Sequence, residues 1–214
     1  MVERPANPNV KRTRRSKDDI VDAALGILDD QGLPDLTMRR IGEVLGVRAS
    51  ALYWHFDSKQ ALLAAVSGRI LAPMADAETG APSLPHAATT LGARLRDCLL
   101  TYRDGAELVS SSLALGLIDA PLHAPLTATA RELGAPEALA RTAAEAITHF
   151  VIGYAFHEQQ RLQADSLGLL TAPAALSPEG VAADADPAPG GFRSVLALIA
   201  TGLSASLEPG PCRK

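Results

Sequence analysis

Tyr53, His55 and Lys59 fall close together in the chain, with Ser50 just before them and Arg39 further upstream. A phenol, an imidazole, an ammonium, a hydroxyl and a guanidinium are the groups that hydrogen-bond to base edges and phosphates. Elsewhere, His149 and His157 lie eight residues apart. On a helix that spacing is about 12 Å, too far for one metal ion to bridge. The two histidines are therefore expected to be polar fixtures in a mostly apolar cavity, or satisfied core histidines, and no metal is expected. Gly153, between them, allows a ligand or a neighbouring helix to come close. Tyr102, Arg103 and Asp104 have no nucleophile paired with a base nearby, and Arg103 beside Asp104 is expected to form a structural ion pair. With no phosphate-cradling loop either, no catalytic residue, no cofactor and no enzymatic activity are expected. Cys98 and Cys212 lack metal-ligand or disulfide spacing and are read as free thiols in a reducing compartment.

The elements that must position these groups are helices. Ser16 with Asp19 signals a helix start, and Ile20, Ala24, Ile27 and Leu28 keep helical spacing until Gly32, which predicts a helix over 17–31. Thr37 is placed to cap a second helix, 38–45, with Ile41, Val44 and Leu45 facing inward before Gly46 closes it. The LGVR turn leads to a short third helix, 48–54, with Val47, Leu52 and Phe56 inward and Ala49, Ser50, Tyr53 and His55 on the opposite side. Trp54 is expected in the core. A fourth helix is predicted over 58–72. Small residues on an exposed short helix suit entry into a major groove about 12 Å wide. Arg39, Ser50, Tyr53 and the methyl groups of Ala49 and Ala51 are placed to read bases, and Lys59 to meet a phosphate.

Further helices are predicted over 87–103, 106–117, 125–133, 137–163 and 191–207, with the last presenting Val195, Leu198, Ile199 and Leu203 on one side. Residues 171–191, rich in Ala, Pro, Gly and Asp, read as a mobile loop. The composition agrees with an all-α fold, being 47% hydrophobic but only 4% aromatic. A formal net charge of −4 argues against a nucleic-acid binder taken whole. Residues 1–60, however, hold 10 basic and 9 acidic residues, a net of +1, whereas 61–214 hold 10 basic and 15 acidic, a net of −5. Only the first part is suited to DNA. The KRTRRSK run, including Arg14 and Arg15, is either a solvated tail or an arm that contacts phosphates or enters the minor groove. No signal peptide or membrane-length apolar run is present, so a cytoplasmic protein is expected, with no membrane partner.

The segment ALYWHFDSKQALL, together with the first helix, Thr37 and the LGV turn in order, resembles the helix-turn-helix of the tetracycline-repressor family across residues 17–66. The resemblance implies an N-terminal helix-turn-helix DNA-binding domain joined by a connecting helix to a helical ligand-binding and dimerisation domain. The expected boundaries are a disordered basic arm at 1–16, the DNA-binding domain at 17–63 and the second domain at 64–208. It also favours a phosphate contact for His55. LRDCLLTYRDGAELV (95–109) and THFVIGYAFHEQQRL (148–162) are similar to segments that line the drug pocket in the tetracycline-binding members of the family. Carried over by position, the ligand-binding set is Leu91, Leu95, Val109, His149, Gly153 and His157. Valine stands for one metal-chelate histidine, at 109, and histidine for the glutamate, at 157. Magnesium favours oxygen donors, and Leu91 and Leu95 cannot hydrogen-bond, so a magnesium–tetracycline effector does not suit this set.

The resemblance further implies that 137–163 and 191–207 form a four-helix interface across a two-fold axis, the alternative being an ordinary core helix at 191–207. The expected function is a repressor that binds palindromic double-stranded operator DNA as a homodimer and is released by a small, largely hydrophobic effector. The alternative is a helical small-molecule-binding protein without sequence-specific DNA binding.

Overall fold

Short, individually capped helices build the N-terminal part. The computed structural model describes residues 15–76, 80–168 and 191–207. Helix α1, Lys17–Gln31, starts with a reciprocal cap in which the Ser16 hydroxyl accepts the Asp19 N–H (3.0 Å) and the Asp19 carboxylate accepts the Ser16 N–H (2.8 Å). Those bonds to Ser16 hold the Asp19 carboxyl below its ordinary range. After a 3-10 turn, Leu33–Asp35, α2 (Met38–Leu45) begins at Thr37, whose hydroxyl accepts the Arg40 N–H at 3.1 Å. α3 is Ala49–Leu52, and α4 is Lys59–Leu71, capped by the Ser58 hydroxyl on the Ala61 N–H at 3.1 Å.

The larger part consists of α5 (Leu84–Leu100), α6 (Gly105–Ala114), α7 (His123–Glu132), α8 (Glu137–Ser166) and α9 (Phe192–Leu207). All regular structure among the described residues is helical. α8, about 45 Å long at 1.5 Å per residue, is the spine on which α5, α6, α7 and α9 pack. α4 packs on α1 at one side and on α5 and α6 at the other, and its Leu62, Val66 and Ile70 are almost fully buried. One continuous hydrophobic cluster runs from Ile20 of α1 to Leu203 of α9.

Several expectations are corrected. Val44 is 53% exposed, because α2 buries the stripe through Met38, Ile41 and Gly42, and Val44 stands about 100° around the helix from Leu45. Trp54 is 90% exposed rather than in the core. The helix there ends at Leu52, and the chain turns through Tyr53, Trp54 and His55 while the Leu52 carbonyl accepts both the His55 N–H (2.9 Å) and the Phe56 N–H (3.0 Å). Leu52 and Phe56 take the two inward directions, so the aromatic at 54 is left outside. α5 starts at Leu84 because Ser83 caps it and Pro85 is tolerated in a first turn. On α9 the buried stripe is Leu196, Ala200 and Leu203, while Leu198 is 71% exposed. The basic arm through Arg14, the loop expected at 171–191 apart from Gly191, and Cys212 lie outside the described residues.

Candidate nucleic-acid interface

The turn between α2 and α3 depends on a close backbone approach. The Val47 N–H donates to the Gly42 carbonyl at 2.8 Å, and a Cβ on Gly42 would lie 2.8 Å from the Val47 carbonyl oxygen. Any other residue at 42 would push α3 off α2. Gly46, at φ 67°, makes the left-handed step that closes α2. α3 is thereby fixed with Leu52 inward, Ser50 exposed, and Ala49 and Ala51 half-buried.

Around this short helix several of the expected contact residues are exposed or half-buried. Tyr53 is 50% exposed, His55 half-buried and Lys59 exposed. The Ser58 cap takes only the Ala61 N–H, which leaves the first N–H groups of α4 without intrahelical partners. Arg15 donates to the Leu45 carbonyl at 3.3 Å, which ties the first described residue of the arm to the end of α2. Arg14 lies outside the described residues. Arg39 is solvated but engaged, with its Nε 3.0 Å from Glu43 Oε1. That hydrogen bond is the main reason the Glu43 carboxyl is held below its ordinary range. Arg40 is held by Gln31 at 3.0 Å and by Glu43 at 3.5 Å. Glu43, which α2 supplies four residues on, takes only the Arg39 Nε–H, so the terminal guanidinium nitrogens remain available to DNA. Sequence reading passed over Trp54, whose exposure has a signal in hindsight: Leu52 and Phe56 already fill both inward positions.

The residues carried over for the ligand site are not brought together. Leu91, Leu95 and Val109 are buried in the core, at 6%, 0% and 0% exposure. His149, Gly153 and His157 all lie on the outward face of α8. The inward stripe of that helix is Ala144, Ile147, Thr148, Val151, Ile152, Ala155 and Gln159, and position 149 is about 200° around the axis from 151. Within this chain both histidines are exposed. His149 instead caps back on its own helix, with Nδ1 2.8 Å from the Glu145 carbonyl oxygen. A Cβ on Gly153 would meet nothing within 4 Å, so no neighbour in this chain requires a glycine there.

Sequence reading also missed the junction between head and body. Asp104 does not pair with Arg103. It is 7% exposed and adopts φ 55°, alone in this among the described non-glycine residues. One carboxylate oxygen accepts the Leu33 N–H from the head at 2.9 Å, and the other accepts the Gln163 amide from α8 at 2.5 Å. Next to it the Gln159 side chain accepts the Ala106 N–H (3.2 Å) and donates to the Leu99 (2.9 Å) and Tyr102 (2.8 Å) carbonyls. α8 thus caps the end of α5 and the start of α6 at once. A cleft of about 400 Å³ opens here, lined in part by Leu100, Tyr102, Arg103, Leu162 and Gln163. On the other side of the junction, the buried hydroxyls of Ser67 on α4 and Ser112 on α6 share a hydrogen bond at 2.8 Å.

The description "Bacterial regulatory proteins, tetR family" matches residues 20–66, and "Tetracyclin repressor-like, C-terminal domain" matches residues 78–206. The chain is 37% identical over 102 residues to the class D tetracycline repressor protein of Escherichia coli, a match that spans only 44% of each protein. The crystal structure of BioQ from Mycobacterium smegmatis superposes with a TM-score of 0.74 at 38% identity, covering 89% of this chain and 98% of that one. BioQ in complex with its double-stranded DNA operator superposes with a TM-score of 0.67 at 36% identity, covering 89% of this chain and 99% of that one. The two family matches together take in residues 20–66 and 78–206 of this chain, which accordingly belongs to the TetR family of bacterial regulatory proteins.

Proposed function

We propose that this protein is a ligand-responsive repressor that binds a palindromic operator as a homodimer and leaves it when a small, largely hydrophobic effector binds. The observation that carries the DNA half of this reading is the outward placement of Tyr53, beside half-buried His55 and exposed Lys59, on a head whose α3 cannot shift without breaking the Gly42–Val47 approach. Similarity to a protein solved with its double-stranded operator supports it. Dimerisation is supported by the outer faces of α8 and α9. They combine the open Gly153 and Gly202 with an exposed Leu198, the kind of small-residue surface on which a second helix pair packs closely. A two-fold dimer would set its α3 pair about 34–36 Å apart, one turn of duplex.

In this reading α4 and the Asp104 junction carry the signal. A change in how α6 packs reaches the head through Ser67–Ser112 and through Asp104 to Leu33. An effector acts only by the difference in its affinity for the two arrangements. The test is a gel shift on duplex selected from a random pool, at about 0.15 M salt. Binding selective over unselected DNA is expected, with Tyr53→Ala losing about 1–3 kcal/mol of specific binding at unchanged stability. Equal affinity for all duplexes would leave the alternative, a helical binding protein without operator recognition.

A further inference from the structure

Of the three arginines that follow one another through α2 and its turn, two already have a partner within the protein. Arg39 and Arg40 share Glu43, and Arg40 also holds Gln31. Arg48 is exposed, and among the described residues its guanidinium makes no hydrogen bond or ion pair. Its backbone is nevertheless held rigidly. The Arg48 carbonyl accepts the Ala51 N–H at 2.9 Å, and the backbone of Val47 and Ala49 on either side rests against Gly42. The side chain thus leaves from a fixed point beside the outward face of α3.

That face is poor in groups able to read sequence. The residues of α3 are Ala49, Ser50, Ala51 and Leu52, which offer one hydroxyl, two methyl groups and a buried leucine. Discrimination among base pairs requires donors and acceptors that reach the major-groove edges, and a guanidinium meets guanine O6 and N7 with two parallel hydrogen bonds. Backbone contacts already have other sources in Lys59, Arg15 and the first N–H groups of α4. Resting on the operator-binding reading above, we propose that Arg48 is a specificity-determining residue that reads one guanine in each operator half-site.

The experiment measures binding of the full chain to the pool-selected duplex and to variants in which each base pair of both half-sites is replaced in turn. Wild type is compared with Arg48→Ala and with Arg48→Met, which keeps the aliphatic stem. For wild type, replacing one G·C pair per half-site is expected to weaken binding about ten- to hundredfold. Both variants are expected to become indifferent to that pair alone while still discriminating at the others. Retention of the guanine preference in either variant overturns the proposal. So does an equal loss on every duplex with a shallower salt dependence, which marks a phosphate contact. A wild-type protein that selects no sequence would instead sink the operator reading itself.

Discussion

The head and the body of this protein are held together by hydrogen bonds of different reach. In the head, α1, α2 and α4 each carry their own cap, from Ser16, Thr37 and Ser58, three residues from the N–H they satisfy. In the body, α5 has a local cap from Ser83, but α6 and α8 have no side-chain cap of their own, and the start of α6 is satisfied by Gln159, 53 residues away on α8. A locally capped helix start stays satisfied whatever its neighbours do. A unit capped at long range changes shape when the neighbour moves, and Gln163 on the same helix face extends that dependence through Asp104 to the head. This division suits a rigid reader attached to a body with two arrangements.

The largest expected effect breaks the long-range side of this contrast. Gln159→Leu leaves the Ala106 N–H and the Leu99 and Tyr102 carbonyls without their partner, and a loss of about 3 kcal/mol in unfolding free energy is expected by urea denaturation. A loss no greater than that of a head cap would erase the contrast. Asp104→Ala removes the acceptor for Leu33 and Gln163 and puts a Cβ residue without a local hydrogen-bonding side chain at φ 55°. About 2 kcal/mol is expected, together with a changed operator affinity by titration, since the head loses its tie to α8. Thr37→Ala removes one local cap, with an expected loss of about 1 kcal/mol and no effect on effector response. Smallest is Trp54→Ala, expected to alter stability by no more than about 0.5 kcal/mol because the side chain is 90% exposed. As Trp54 is the one tryptophan in the sequence, wild-type emission should be that of solvated indole, open to acrylamide, and should become protected on adding operator. Blue-shifted, protected emission from the free protein would return Trp54 to the core.

The head was legible because its signals are short-range. Ser16 with Asp19, Thr37, Gly32 and Gly46 act on residues one turn away, and α1 and α2 begin and end where those residues put them. The side of α3 that carries Tyr53 followed from Leu52 and Phe56. Trp54 was misplaced because aromatic character was weighed above the geometry of the turn. The body yielded its helices but not their rotation. On α8 two stripes compete, Ala144–Thr148–Ile152 and His149–Gly153–His157, and both keep helical spacing. The histidines and glycine were assigned to a pocket by their position in a segment resembling pocket-lining ones, which does not tell which way α8 is turned.

Sequence alone determined the order of the helices, the Ser16 and Thr37 caps of the head, the LGVR turn after α2 and the charge contrast between the two parts, because each rests on residues within a turn of one another or on a sum over the chain. Tertiary structure decided which face of α8 turns inward and that Asp104 serves Leu33 rather than Arg103. Helical periodicity fixes the angles between side chains on one helix. It leaves open the absolute rotation of that helix against its neighbours, which is set by contacts between residues some fifty to seventy positions apart, such as Gln159 with Leu99 and Asp104 with Leu33.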